Sequence, residues 1–189
     1  MDTPGMFDLV SLSSQIKKRI AEERPRLYRM AYAWCCDPTL ADDLAQEAIS
    51  KGLQKAGQLR EAERLQSWLY AILHNCWRTH LRRQRPDQPL DEEAFPCDDC
   101  PETVNQRQQV VDRVRAAIKA LPLGQREVIT LVDLNGFAYA EVARILDIPI
   151  GTVMSRLSRA RQALLVALAD VQQQSPQTSS PRASLRRVK

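Results

Sequence analysis

The stretch GTVMSRLSRARQALL, residues 151–165, decides how the carboxyl-terminal half of the chain is interpreted. At about 100° per residue, its apolar positions fall within about 40° of one another on a helix: Val153, Leu157, Ala160 and Leu164. The opposite side and its flank carry small polar residues and arginine: Thr152, Ser155, Arg156, Arg159 and Gln162. Such side chains can approach base edges in the major groove, where arginine pairs with guanine. A solvated basic helix face is the alternative.

The residues just before this stretch predict a second, shorter helix. Its apolar positions are Tyr139, Val142, Ala143 and Leu146. Ile148 supplies an apolar residue inside the turn, and Pro149 cannot continue the first helix. Thr152 is expected to cap or begin the second helix. Two short helices joined by such a turn predict a helix-turn-helix, the arrangement in which one helix enters the major groove of DNA.

Composition and charge divide the rest of the chain. Of 189 residues, 44% are hydrophobic and only 5% aromatic, and the abundant residue types favour helix, so we expect an all-α fold. Residues 86–106 carry four prolines and seven acidic side chains without a basic one, which predicts a flexible acidic linker between two small helical domains. Outside that segment, 27 basic residues outnumber 16 acidic ones. This excess of positive charge is typical of a protein that binds an anionic polymer.

An acidic face is predicted on a helix over residues 40–55. Asp43 and Glu47 are four residues apart, as are Asp42 and Gln46. The four lie opposite the apolar positions of that helix and would repel DNA, so they suit a basic protein partner. A solvated face near a helix amino terminus is the alternative, because the helix dipole favours negative charge there.

A basic face is predicted at the end of the helix over residues 65–85. Asn75, Arg78 and Arg82 recur at three and four residues and therefore share one side, with Arg83 beside them. Nearby aromatic residues offer surfaces for unstacked bases: Trp68, Tyr70 and Trp77. The alternative is core tryptophan with a solvated basic end, and the pattern favours a core position for Trp68 more than for Trp77.

Two blocks of this sequence together resemble one family. DDLAQEA (42–48) followed by SWLYAILHNCWRTHLRRQR, and then LPLGQREVITLVDLNGFAYAEVARILDIPIGTVMSRLSRARQAL, is similar to the extracytoplasmic-function sigma factors of bacterial RNA polymerase. The resemblance covers residues 14–170. It implies a region 2-like domain at 14–86, a linker at 87–106 that threads through the polymerase, and a region 4-like domain at 107–171. Residues 1–13 and 172–189 are expected to be poorly ordered ends.

The resemblance also implies roles for the faces described above. The acidic residues Asp42, Asp43, Gln46 and Glu47 would bind a coiled coil of core RNA polymerase. The loop near 57–66 would read and help melt the promoter −10 element, together with Asn75, Arg78, Arg82 and Arg83. The second helix of the helix-turn-helix would read the −35 element through Thr152, Ser155, Arg156, Ser158 and Arg159. An anti-sigma protein, often membrane-anchored in this family, would control the chain.

Some positions depart from the family pattern. Met154 stands where members commonly have a basic residue, and Ala71 and His74 replace two frequent arginines. Thr79 stands where an aspartate is frequent. These departures bear on the base preference and leave the general role in place.

The five cysteines are odd in number and do not resemble a disulfide scaffold, so a reducing cytoplasm is expected. Cys97 and Cys100 form a CxxC in the linker, and Cys76 and His80 are four residues apart. A zinc or redox site is one interpretation. Incidental linker cysteines are favoured, because there is only one CxxC and no second pair with zinc-finger spacing.

Other function classes fit the sequence less well. A free-standing helix-turn-helix repressor would have no use for the acidic face of 42–47 or the basic end of 75–85. An enzyme is disfavoured because the chain has two histidines, no Gly-rich phosphate loop and no nucleophile motif. No cofactor and no small-molecule substrate are predicted. No apolar run approaches the roughly 18 residues of a membrane span.

Overall fold

The computed structural model describes residues 15–59, 61–84 and 106–169, and every regular element in those ranges is helical. The all-α prediction is confirmed for this part of the chain. The elements are α1 (15–22), α2 (Arg24–Cys35), α3 (Pro38–Gln54), two 3-10 turns (Ala56–Gln58 and Ala62–Arg64), α4 (Leu65–Gln84), α5 (Gln106–Lys119), α6 (Leu123–Ile129), a π-helical turn (Thr130–Leu134), α7 (Tyr139–Leu146) and α8 (Ile150–Ala167).

Helices α1–α4 form an amino-terminal unit. The Asp37 carboxylate accepts hydrogen bonds from the backbone N–H groups of Thr39 and Leu40 and so caps α3, which begins two residues before the start predicted for it. Gly52 lets α3 approach α4 closely, since a Cβ built there would lie 2.8 Å from Leu69 Cδ2. The buried side chains of this unit are mainly aliphatic, with Trp34 and Tyr70 among the largest.

Helices α5–α8 form a carboxyl-terminal unit that contains the predicted helix-turn-helix. Gly136, at φ +74°, ends the π-helical turn, as the Asn-Gly pair predicts. Asp147 adopts a left-handed conformation (φ +55°) at the end of α7. Helix α8 begins at Ile150 with Pro149 before it. Thr152 therefore lies inside the first turn of α8 and does not cap it, whereas the alternative prediction, that it stands at the beginning of this helix, agrees with that position.

The two units pack directly against each other. Helix α4 contacts α7, while α2 contacts both α5 and α6. The buried apolar residues of the two units form one continuous cluster. The predicted linker lies outside the described residues except for its last residue, Gln106, where α5 begins.

Helix length and hydropathy bear on membrane insertion. Across the ranges 15–59, 61–84 and 106–169, no helix combines the length and the apolar character that a bilayer crossing needs.

Candidate nucleic-acid and polymerase interfaces

Helix α8 presents the predicted DNA-reading side to solvent. Val153, Leu157 and Ala160 are buried against the unit core, as their spacing predicts. Ser155, Ser158 and Arg159 are exposed, and Thr152 and Arg156 are half-buried at the edge of the same face. Met154 is 53% exposed on this helix. The five predicted −35 residues therefore lie on one accessible surface.

Arg161 differs from the other arginines of α8. Its Nε and Nη2 atoms donate to the two carboxylate oxygens of Asp133, at 3.1 and 2.6 Å. This bidentate pair joins α8 to the π-helical turn and raises the pKa of Arg161. The arginines of the motif thus have different surroundings, a distinction that periodicity alone does not make.

The end of α4 presents the predicted basic face. Asn75, Arg82 and Arg83 are exposed, and Arg78 is half-buried beside them. Thr79, which replaces a frequent aspartate, donates from Oγ1 to the carbonyl of Asn75 at 2.7 Å. The four predicted −10 residues are brought together along one helix end.

The aromatic residues of α4 do not follow the sequence interpretation. Trp77 is 4% exposed and Tyr70 is fully buried, so neither offers a free surface for stacking with bases. Trp68, expected in the core, is only half-buried. The order of burial of the two tryptophans is therefore the reverse of the prediction.

The acidic face of α3 is exposed, but two of its carboxylates have partners. Asp42 pairs with Arg24 of α2 at 2.6 Å, and Glu47 pairs with Lys51 at 2.7 Å. Asp43 and Gln46 are exposed between them. The pairing with Glu47 is the largest contribution to the raised pKa of Lys51. All four predicted polymerase-binding residues lie on one solvent-facing side of α3.

The cysteine motifs give no metal site in the described residues. Cys76 is buried, which raises the pKa of its thiol, and Lys51 Nζ lies 3.6 Å from its sulfur. Among residues 15–59, 61–84 and 106–169 there is no group of three or more His, Cys, Asp or Glu side chains arranged to hold a metal ion. Cys97 and Cys100 lie outside these ranges.

Sequence reasoning missed the polar contacts between the two units. Arg126 of α6 is 1% exposed and donates from Nη1 to the carbonyl of Trp34 at 2.8 Å. His74 Nε2 lies 3.5 Å from a carboxylate oxygen of Glu127. Arg126 and Glu127 are adjacent in α6, where charged residues are expected to face solvent. The sequence therefore gives no signal that both side chains are buried between the units.

Comparisons with known proteins agree with this arrangement. Residues 20–86 match Sigma-70 region 2, and residues 112–164 match Sigma-70, region 4. The RNA polymerase sigma-H factor of Pseudomonas aeruginosa is 34% identical over 144 residues, which cover 70% of this chain and 75% of that protein. The ECF RNA polymerase sigma factor SigM of Mycobacterium tuberculosis is 34% identical over 141 residues, 74% and 69% of the two chains.

Solved structures show the same fold. The sigma factor RpoE from Bartonella quintana, solved in complex with the anti-sigma factor NepR, has a TM-score of 0.65 at 25% identity, covering 82% of this chain and 97% of that one. CnrH, solved in complex with the cytosolic domain of CnrY, has a TM-score of 0.58 at 24% identity, covering 85% and 96%. The sequence matches to both regions, at these identities and coverages, show that the chain belongs to the extracytoplasmic-function sigma factors of the sigma-70 family, which are non-catalytic transcription initiation factors.

Proposed function

We propose that this sigma factor binds core RNA polymerase through the acidic side of α3 and directs it to promoters by reading two DNA elements. The observation that carries the proposal is the separation of charge between three surfaces. An acidic surface (Asp42, Asp43, Gln46, Glu47) lies on α3, while basic surfaces lie at the end of α4 and on the outer side of α8. The acidic surface would repel DNA, and the basic surfaces would attract it.

The polymerase surface is tested by reversing its charge. We expect Asp43→Arg with Glu47→Arg to abolish co-purification with core polymerase, because a basic partner would then be repelled. Glu22→Arg with Glu63→Arg makes the same change in net charge at two exposed acids on other elements and should leave co-purification intact. Unchanged binding of the first variant would remove the assignment of this face.

The −35 surface is tested on α8. We expect Arg159→Ala to weaken binding to a −35 duplex by about 1–3 kcal/mol if the guanidinium pairs with a base, with the loss concentrated at one base pair. Arg144→Ala removes an exposed arginine from α7 and serves as the matched control. A uniform loss across unrelated duplexes would assign Arg159 to a phosphate instead.

The −10 surface at the end of α4 is tested by strand opening. We expect Arg78→Ala with Arg82→Ala, in the assembled polymerase, to reduce promoter melting monitored by permanganate reactivity of thymines. The physical reason is the loss of two cations beside the separated strand. Melting at the wild-type rate would exclude this helix end from the role.

A region 2-like domain at 14–86 and a region 4-like domain at 107–171 are supported by the family matches inside both ranges. We also propose control by an anti-sigma protein, often membrane-anchored in this family. Support comes from RpoE of Bartonella quintana, which was solved in complex with the anti-sigma factor NepR. The proposed place of action is the cytoplasm, where polymerase and promoter DNA meet.

A free-standing repressor is the competing function. It predicts tight operator binding without polymerase, usually as a dimer on two half-sites. Run-off transcription with core polymerase on genomic fragments separates the two: specific transcripts support the sigma role, whereas operator binding without transcripts supports the repressor.

A further inference from the structure

Helix α8 has two exposed apolar side chains beside the residues that are predicted to read the −35 element. Ile150 is the first residue of the helix and is 50% exposed, and Met154, one turn later, is 53% exposed. At about 100° per residue, Met154 lies about 40° from Ile150, while Met154 and Thr152 lie about 100° to either side of the buried Val153. Ile150 and Met154 therefore form one edge of the outer face of α8, which we call the apolar edge.

The opposite edge of the same face is polar and basic. It carries Thr152, Arg156 and Arg159, of which Arg159 is exposed and the other two are half-buried. Between the two edges lie Ser155 and Ser158, whose short, exposed side chains leave room for a base pair to approach the helix. The outer face of α8 is therefore chemically asymmetric, with cations along one edge and apolar groups along the other.

The third arginine of α8 does not make the apolar edge basic. At about 100° per residue, Arg161 falls within about 20° of Met154 around the helix, but it lies two turns further along the axis. Both carboxylate oxygens of Asp133 accept hydrogen bonds from its guanidinium, at 3.1 and 2.6 Å. Because this ion pair attracts a phosphate less than an uncompensated cation does, the apolar edge is poorly suited to the DNA backbone and better suited to an uncharged group.

The apolar group that duplex DNA presents in its major groove is the 5-methyl group of thymine. The first residues of a recognition helix are the ones that contact base edges, and Ile150 and Met154 stand in the first two turns of α8. The two residues are separated by about 6 Å along the helix axis, which corresponds to about two base pairs at about 3.4 Å each. The unbranched thioether of Met154 can also adapt its shape to a small apolar target.

We propose that the apolar edge of α8, Ile150 and Met154, recognises thymine through its 5-methyl group at one base pair, or at two adjacent base pairs, of the −35 element. Removal of water from between a methyl group and these side chains supplies the selectivity, which amounts to about fourfold in affinity for one methyl group. The inference rests on the proposed function for the placement of α8 on this element. It adds to that function the base that this edge of the helix selects.

Deoxyuridine tests the proposal, because it pairs like thymidine and lacks only the methyl group. Core polymerase carrying the full chain is bound to promoter duplexes in which each thymine of the −35 element, on either strand, is replaced singly by uracil. We expect the affinity to fall about fourfold at one position or at two adjacent positions, and to stay unchanged at the others. An affinity that is independent of all of these methyl groups would overturn the proposal, as would a −35 element without thymine.

Variants of α8 assign the methyl contact to its residues. In Met154→Ala, the affinity ratio between the thymine and uracil duplexes should fall from about fourfold to about one at one of these positions, whereas Met154→Leu should retain most of the ratio. The matched control is Leu165→Ala, which truncates a similarly exposed apolar residue (59%) at the other end of α8 and should keep the ratio unchanged. A ratio that persists in both Met154→Ala and Ile150→Ala would overturn the role of the apolar edge.

Salt dependence gives a second measurement. Met154→Arg places a positive charge beside the DNA, so the logarithm of affinity should fall more steeply with the logarithm of salt concentration, by about 0.9 in slope, and the preference for the methyl group should disappear. An unchanged slope would place the apolar edge away from the DNA and overturn the proposal. Equal affinity of the wild-type complex for all −35 sequences would overturn the proposed function itself, whereas sequence-specific binding without methyl dependence would overturn only this inference.

Discussion

At the scale of single residues, Arg126 is a buried cation whose hydrogen bonds reach both units. It is buried and donates to three carbonyls: that of Trp34 at the end of α2, that of Lys119 at the end of α5 and that of Leu121 just beyond α5. Removing the guanidinium leaves buried acceptors without a donor and a cavity where the side chain lay. Backbone carbonyls of both units therefore depend on Arg126 for a hydrogen-bond donor.

We expect Arg126→Met to lower the free energy of unfolding by about 3–5 kcal/mol, because methionine fills the volume but donates no hydrogen bond. Arg144→Met, at an exposed site of α7, should change it by less than about 0.5 kcal/mol. Urea unfolding followed by circular dichroism measures both. Similar stabilities for the two variants would contradict the bridging role of Arg126.

Cys35 offers a prediction with a defined pH dependence. Burial, followed by smaller electrostatic effects of Cys36 and Asp37, raises the pKa of its thiol from 9.0 to about 12. At pH 8 the folded protein should therefore contain about 1,000-fold less thiolate at this position than the unfolded chain. Alkylation by iodoacetamide, quantified on the Cys35 peptide, should slow by about that factor; equal rates with and without urea would contradict it.

The direction in which stability changes with pH follows from the same pKa shift of Cys35. Because the pKa is higher in the folded state, the unfolded thiol ionises first as the pH rises. The stability that Cys35 contributes is complete below pH 9 and is lost as the pH approaches 12.

How far single residues could be predicted depends on the range of the contacts that place them. The outward positions of α8, such as Ser155 and Arg159, follow from a local period that the helix obeys. Trp77 and Trp68 were placed in the wrong order because their burial depends on residues distant in the sequence. Arg126 was missed for the same reason: its acceptors lie in α2 and just after α5.

At the scale of elements, the close approach of α3 and α4 depends on Gly52. We expect Gly52→Ala to destabilise the protein by about 1–3 kcal/mol, since the added methyl group meets Leu69 Cδ2 at 2.8 Å and Ile20 Cγ2 at 3.4 Å. A methyl group added at Gly151 meets nothing within 4 Å, so Gly151→Ala should stabilise α8 by up to about 1 kcal/mol. Opposite shifts in melting temperature are expected, and shifts of the same sign would contradict the close approach.

The helices themselves were largely predictable, because the residues that begin and end them act through local backbone preferences. Asp37 and Pro38 begin α3, and Gly136 and Pro149 separate the last three elements as their backbone preferences require. The π-helical turn at Thr130–Leu134 was not predicted, since its residues continue the apolar pattern of α6. The extra residue per turn places Thr130 and Asn135 opposite Trp34 and Tyr70, a tertiary requirement.

At the scale of the whole molecule, the sequence predicts two domains, and the structure joins their cores. The chain has three tryptophans, all in the amino-terminal unit, so their fluorescence reports on that unit while circular dichroism reports on both. We expect coincident urea transitions by the two probes, because one continuous cluster unfolds cooperatively.

A double variant, Thr130→Val with Tyr70→Phe, loses the Trp34–Thr130 and Tyr70–Asn135 hydrogen bonds between the units. It should separate these transitions, since each unit then unfolds with less support from the other. The matched control, Thr79→Val with Tyr28→Phe, removes a threonine hydrogen bond that stays within α4 and should keep the two transitions together. Separate transitions in the wild type would show that the shared core does not couple the two units.

The shared core has a consequence for synthesis on the ribosome. The surface of α2 and α4 that contains Trp34 and Tyr70 is covered only after residues up to Phe137 have been made. At about 5–20 residues per second, the roughly 50 residues between the end of α4 and Phe137 take about 3–10 seconds. During that interval the nascent amino-terminal unit exposes an apolar surface, which makes it a natural client for a chaperone that binds near the exit tunnel.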